Sequence, residues 1–234
     1  MINYRRESRS REEQVCAMQV PIRVVIFDLG RVMIRLAEGW EGACRESGVP
    51  YYPFTPSPAF TAGYLELLRE YERGMIPPDS FFASLQQLFD GIYTLREVRT
   101  VYQTTIREEF PGIPEIVRAI KAAGYRTACL SNTCASHWVE LTNPERYPGI
   151  GLLDMHFGSH LLGAVKPDAV VFRMVEELVA AEPREILFFD DTEVNTAAAC
   201  ACGWNAVRIT PDRPAPAQIC EALTDFCGLP VACG

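Results

Sequence analysis

Val24-Val25-Ile26-Phe27-Asp28-Leu29-Gly30 is the stretch that decides how this chain is read. A run of β-branched and aromatic residues with no polar alternation is the pattern of a strand covered on both faces, as in a parallel sheet. Asp28 closes the run at its carboxyl end, where open α/β sheets place their ligands. A carboxylate there is costly to desolvate unless something uses its charge. On this segment by itself, an Asp that caps the next turn and an Asp that faces a ligand are both open readings.

Three more segments share that context. Thr127-Ala128-Cys129-Leu130-Ser131-Asn132-Thr133 reads as a second buried strand ending in a hydroxyl and an amide. Gly163-Ala164-Val165-Lys166-Pro167-Asp168 puts a single Lys just before a Pro able to open a helix. Ile186-Leu187-Phe188-Phe189-Asp190-Asp191 is a third buried strand, ending in two acids. Between and after these lie helical patterns. Pro114, Glu115, Ile116, Ile120 and Gly124 mark one, Ala169 to Ala180 a second, Ala197 to Cys202 a third, and Ile219 to Phe226 a last one beyond a Pro-rich connector. Met155 to His160 and Asn205 to Ile209 read as further short strands. Alternating strands and helices of these lengths give a doubly wound parallel sheet with helices on both faces.

Residues 37–107 are of another kind, helical and interrupted by Pro. Phe60, Tyr64, Leu67, Leu68 and Tyr71 recur at helical spacing, Asp79 is placed to cap the helix of Phe81, Phe82, Leu85 and Leu88, and Thr94 with Glu97 has the pattern of a capping box. The aromatic, Pro-rich stretch from Pro50 to Pro58 reads as a rigid loop packed on its own rings, with substrate contact as the other reading.

The order Asp28, Ser131, Lys166, Asp190-Asp191, each in a strand-to-helix connection, resembles the haloacid dehalogenase-like hydrolase superfamily over Val24 to about Ile209. Within it, Phe27-Asp28-Leu29-Gly30, Leu130-Ser131-Asn132-Thr133 with His137, Phe188-Phe189-Asp190-Asp191 with Asn195, and Tyr71-Glu72-Arg73-Gly74 look like the branch of bacterial glucose-1-phosphate phosphatases and the phosphatase-like domain of soluble epoxide hydrolases. The resemblance implies a Rossmann-like core formed by residues 21–36 and 108–234, with a helical C1-type cap inserted after the first strand over 37–107. It also implies a Mg²⁺-dependent phosphatase acting on a small phosphate monoester, a sugar phosphate for instance. Asp28 would be the nucleophile, Lys166 and Ser131 would complete the catalytic set, and Ser131, Asn132, Arg31 and His137 would hold substrate. Asp28, the Gly30 carbonyl, Asp190 and Asp191 would hold the metal, Asp191 directly and Asp190 through water. Asn195 is expected to brace the last acidic loop. One departure stands out: most phosphatases of the superfamily carry a second Asp two residues after the nucleophile as general acid and base, and here that position is Gly30. Arg31 also departs from the small or amide residue more usual in the branch. The alternatives are a 2-haloacid dehalogenase, against which the acidic pair argues, and a catalytically weak binding or regulatory protein, which Gly30 alone supports.

Composition fits a hydrolase of this kind. The 234 residues are 48% hydrophobic, enough for a substantial core, and the net charge of -8 argues against a nucleic-acid partner. No apolar run is long enough to span a bilayer, so no membrane partner is expected, and a homodimer stays open. The polar start Met1-Ile2-Asn3-Tyr4-Arg5-Arg6 lacks a signal-peptide core. Nine Cys without CxxC or metal spacing, with Cys129, Cys200 and Cys202 read as core residues, point to a reducing, cytoplasmic compartment. Residues 1–20, with acids and bases intermixed, are expected to be a disordered leader, or a start called too early with Met18 as the true one.

Overall fold

The computed structural model describes residues 21–231, so the reading of residues 1–20 lies outside them. Strand β1 (Val24–Phe27) is buried along its whole length at the centre of a five-stranded sheet. Beside it run β4 (Arg126–Ser131) and β6 (Ile186–Asp190), with β5 (Met155–Gly158) and β7 (Asn205–Arg208) at the edges; the order is β5-β4-β1-β6-β7 and all pairs are parallel. The chain runs outward from β1 through β4 to β5, then crosses back to β6 on the other side. Direction therefore reverses at β1, whose carboxyl end is the crevice such sheets offer to a ligand.

Successive side chains of a strand point to opposite faces. Val25 and Phe27 accordingly join one apolar cluster, with Ile116, Ile120 and Ile219, while Val24 and Ile26 join another, with Val171, Phe172 and Val175. Helices α5 (Ile113–Ala122) and α11 (Ala215–Cys227) cover the first face, and α9 (Ala169–Val179) and α10 (Glu193–Ala201) lie on the second. Burial of both faces is what the apolar runs of β1 and β6 predict.

Between β1 and β4 the chain leaves the sheet. A two-stranded antiparallel stem, β2 (Ile34–Leu36) with β3 (Ile106–Glu109), carries four helices: α1 (Gly39–Ser47), α2 (Pro58–Glu72), α3 (Pro78–Leu88) and α4 (Leu95–Gln103). These helices enclose their own aromatic core of Tyr71, Phe81, Phe82, Phe89, Tyr93 and Tyr102. Local chemistry sets their starts. Ser57 caps α2 by accepting from the Phe60 N–H at 3.0 Å, and Thr94 and Glu97 form the full reciprocal box at α4. The Pro-rich loop packs not on its own rings but on those of the helices around it, Phe54 lying 5.1 Å from Phe60 and 5.4 Å from Phe89.

Several expectations need correction. The stem strands were not foreseen, because three or four residues with charges among them carry too little periodicity. Asp79 does not cap α3: Pro77 holds the cap position and Asp79, in the first turn, pairs with Arg99 at 2.6 Å. Pro167 does not open α9 but precedes its cap residue Asp168. Helix α10 begins at Glu193, four residues ahead of Ala197, and of the three cysteines read as core residues only Cys129 is buried, Cys200 being exposed and Cys202 half-buried. Among the described residues no helix is long and apolar enough to cross a membrane.

Candidate active site

The register Phe27 opposite Cys129 on β4 and Phe189 on β6 brings the ends of three strands level. Asp28 follows β1 and donates its N–H to the Phe189 carbonyl at 2.7 Å, so its backbone is fixed by the sheet itself. Lys166 enters from the loop ahead of α9, through a cis Lys166–Pro167 bond. Its ammonium, 1% exposed, donates to Asp28 Oδ1 at 2.9 Å, Asp190 Oδ2 at 2.6 Å and the Leu130 carbonyl at 2.8 Å. All three donors of the ammonium are used. Burial disfavours its charge, but the two carboxylates outweigh this and raise its pKa above the ordinary lysine value. Burial likewise dominates at Asp28, which is pushed up to about 6 against the pull of Lys166, with Asp190 and Asp191 adding to the rise.

The three acids differ in how far they are committed. Asp190 is fully buried and its oxygens accept from Lys166, the Thr192 N–H at 2.8 Å and the Asn195 amide at 3.1 and 3.2 Å. Asn195 thus braces this loop, as expected of it. Asp191 is freer: Oδ1 accepts from its neighbour Thr192 and Oδ2 from Arg31 at 3.4 Å. Asp28 Oδ2 takes no hydrogen bond among the described residues. At Gly30, the turn's N–H groups of Val32, Met33 and Ile34 all go to the Leu29 carbonyl, which leaves the Gly30 carbonyl outside the turn's own bonding.

Asp28, Asp190 and Asp191 each offer a carboxylate oxygen within 4.8 Å of the others. An all-oxygen set with a backbone carbonyl beside it suits Mg²⁺, which takes few protein ligands and keeps several waters. The uncommitted Oδ2 of Asp28, the loosely held Asp191 and the free Gly30 carbonyl fit such an ion; Asp190, saturated by neutral and cationic donors, fits contact through water.

Ser131, 5% exposed at the end of β4, has a hydroxyl with no partner among the described residues. Arg31 sits at the rim, 60% exposed and with φ of 59°, a conformation in which small or amide residues are less strained. Two other residues expected on substrate are taken up elsewhere. Asn132 spends both ends of its amide on the Lys166 backbone, accepting from its N–H at 2.8 Å and donating to its carbonyl at 2.9 Å, so it positions the lysine loop. His137 is buried, stacked on Tyr102 at 4.6 Å, with Nε2 3.0 Å from the Tyr102 carbonyl. It joins α6 (Ala135–Leu141) to α4.

Two residues not expected near the site come within electrostatic range of it. Cys134 is buried; burial would raise its thiol, but hydrogen bonding and the charge of His137 outweigh this and bring it down to about 7. Glu72 ends α2 and feels Cys134, Lys166, Asp28 and His137 across the gap between the helical insertion and the sheet. The string Tyr71-Glu72-Arg73-Gly74 was the only trace of it in the sequence.

A family model for haloacid dehalogenase-like hydrolases matches residues 22–203, which contain all four motif positions. The chain belongs to the haloacid dehalogenase-like hydrolases. It is 24% identical over 208 residues to phosphoglycolate phosphatase of Aquifex aeolicus, covering 82% of this chain and 90% of that one. It is 27% identical over 228 residues to the mouse acyl-CoA dehydrogenase family member 10, covering 87% of this chain, and 32% identical over 111 residues to enolase-phosphatase E1 of Nocardia farcinica, covering 47% of each. The chain spans only 19% of the mouse protein's length and about half of the Nocardia protein's. Among solved structures, a HAD-like family hydrolase of Porphyromonas gingivalis has a TM-score of 0.69 at 22% identity, covering 87% of this chain and 98% of that one. A HAD family enzyme of Bacteroides thetaiotaomicron, solved with magnesium and inorganic phosphate, has a TM-score of 0.64 at 18% identity, covering 82% and 96%. At these identities the structural likeness establishes the fold that the family shares.

Proposed function

We propose that this haloacid dehalogenase-like hydrolase is a Mg²⁺-dependent phosphatase that cleaves a small phosphate monoester through an aspartyl-phosphate on Asp28. The observation that carries this reading is the clamp at β1's end: Lys166 holds Oδ1 of Asp28, Oδ2 takes no hydrogen bond among the described residues, and Asp190 and Asp191 each bring a carboxylate oxygen within 4.8 Å of the Asp28 carboxylate. The Asp28 carboxylate attacks phosphorus and the ester P–O bond breaks; water then attacks the phosphorus of the acyl phosphate and frees Asp28. Lys166 holds the nucleophile's direction and offsets the charge gathering on the phosphoryl oxygens, and the partnerless Ser131 hydroxyl donates to one of them. A divalent ion, when bound, would cancel the repulsion between Asp28 and an anionic phosphoryl group. The work of the protein is therefore positioning and charge compensation.

The names of the Aquifex and Nocardia relatives support a phosphatase, and the magnesium and phosphate in the Bacteroides structure support the ion. Helices α1 to α4 serve as the cap, closing the crevice and setting specificity by shape. Dehalogenases share the fold, one at a TM-score of 0.60, but a metal-free reaction gains nothing from three converging carboxylates. A panel of phosphate esters with and without Mg²⁺, run beside a 2-haloacid, tests the reading. Mg²⁺-dependent phosphate release with no halide release is expected. Halide release, or no turnover of any ester, overturns it.

A further inference from the structure

Gly30 leaves the reaction without the usual proton donor, and a carboxyl with no other assignment lies within electrostatic reach of the same nucleophile. Glu72 is the last residue of α2. The end of that helix is pinned to the loop that delivers Lys166. Arg69 Nη2 donates to both oxygens of Asp168 at 3.1 Å, Arg73 pairs with the same carboxylate, and Gly74, with φ of 69°, lies against the His160 carbonyl so closely that no Cβ fits. The neighbours of Glu72 in sequence are thus fixed on the core, while Glu72 makes no hydrogen bond and no ion pair among the described residues. The charged and titratable groups that influence it are Cys134 and His137 from the start of α6, Lys166 from its loop, Asp28 from the end of β1, Tyr64 from its own helix and Tyr102 from α4. A carboxyl held largely out of water, unpaired among the described residues and within electrostatic reach of the nucleophile and its lysine, has no structural task in view.

We propose that Glu72 is the catalytic residue that protonates the leaving-group oxygen and afterwards takes a proton from the attacking water, standing in for the acid that Gly30 lacks. The proposal rests on the phosphatase reading above. As Asp28 attacks, the ester P–O bond breaks and the Glu72 carboxyl gives its proton to the departing oxygen. In the second half, the Glu72 carboxylate accepts a proton from water as the water oxygen bonds to phosphorus and the P–O bond to Asp28 breaks, which restores both acids. Burial, ahead of every other influence, pushes Glu72 up to about 7, which favours the protonated form that the first step needs.

The test uses 4-nitrophenyl phosphate and phenyl phosphate, nearly equal in shape but unequal in how basic their leaving oxygens are. With Mg²⁺ and the full chain, Glu72→Gln is expected to lower kcat/KM on phenyl phosphate by about a hundredfold and on 4-nitrophenyl phosphate by less than about tenfold, because only the poorer leaving group needs the acid. Adding Gly30→Asp to Glu72→Gln should recover at least about tenfold on phenyl phosphate. A Cβ at residue 30 would stand 3.1 Å from Leu36 Cδ1, the movable end of a side chain, so the new acid can be accommodated. Equal losses on both esters, or no loss on either, would overturn the role of Glu72 while leaving the phosphatase reading intact. Failure of the unaltered protein to hydrolyse even 4-nitrophenyl phosphate would overturn both.

Discussion

Replacing Lys166 by Met removes one ammonium and leaves two buried carboxylates facing each other. The lysine is 1% exposed and supplies three hydrogen bonds, two of them to anions that are 12% and 0% exposed. Breaking a buried pair by deleting one partner costs about 3–5 kcal/mol, chiefly for the charge left uncompensated. The apolar stem of Met fills the same channel beside Phe188, so little of the loss should come from packing. In the metal-free variant at neutral pH, unfolding in urea should therefore show a loss of about 3–5 kcal/mol. The pH dependence has a definite sign. Without Lys166 the folded-state pKa of Asp28, already raised by burial, climbs further above its unfolded value, so the folded state binds more protons than the unfolded state, and stability falls as pH rises through that folded value. The deficit should be largest near neutrality and shrink as pH falls toward 4. Unfolding curves at several pH values, read as the difference from the unaltered protein, decide it. A deficit under about 1 kcal/mol at neutral pH, or one that grows on acidification, would refute the claim that the clamp compensates buried charge.

Other outcomes follow from the same geometry. Asp191→Ala should weaken Mg²⁺ binding in calorimetric titration more than Asp190→Asn, because Asp191 is the less committed acid; equal, small losses would mean that neither faces the ion. Gly74→Ala should destabilise the protein by about 1–3 kcal/mol in thermal or urea unfolding, since the position is left-handed and abuts a backbone carbonyl. His137→Gln should move the Cys134 thiol upward from about 7, read as thiolate ultraviolet absorbance against a Cys134→Ala control, because the imidazole is what holds it down.

The chemistry-bearing residues on the sheet were legible because each ends a run whose hydrophobicity is itself diagnostic. Asp28, Ser131 and Asp190 close strands buried on both faces, and polarity at such a place has few explanations. Asn132 and His137 sit just beyond one of those strands, yet the residues that claim them, the Lys166 backbone and the Tyr102 carbonyl, lie far off in sequence, and no local pattern reveals them. Glu72 was harder still, for an acid at the end of an amphipathic helix looks solvated until the insertion is folded over the crevice. The capping box at Thr94 was readable because both of its hydrogen bonds close within four residues, whereas the apparent cap at Asp79 failed because Pro77 took the position first.

The central claim is that phosphoryl transfer goes through Asp28. Quenching the enzyme in denaturant during steady hydrolysis of 4-nitrophenyl phosphate, reducing with borohydride and sequencing by mass spectrometry reads this directly, since a phosphorylated aspartate is reduced to homoserine. The account predicts homoserine at position 28, present only when substrate and Mg²⁺ were both supplied and absent from Asp28→Asn. Modification at another residue, or undiminished hydrolysis by Asp28→Asn, would contradict it.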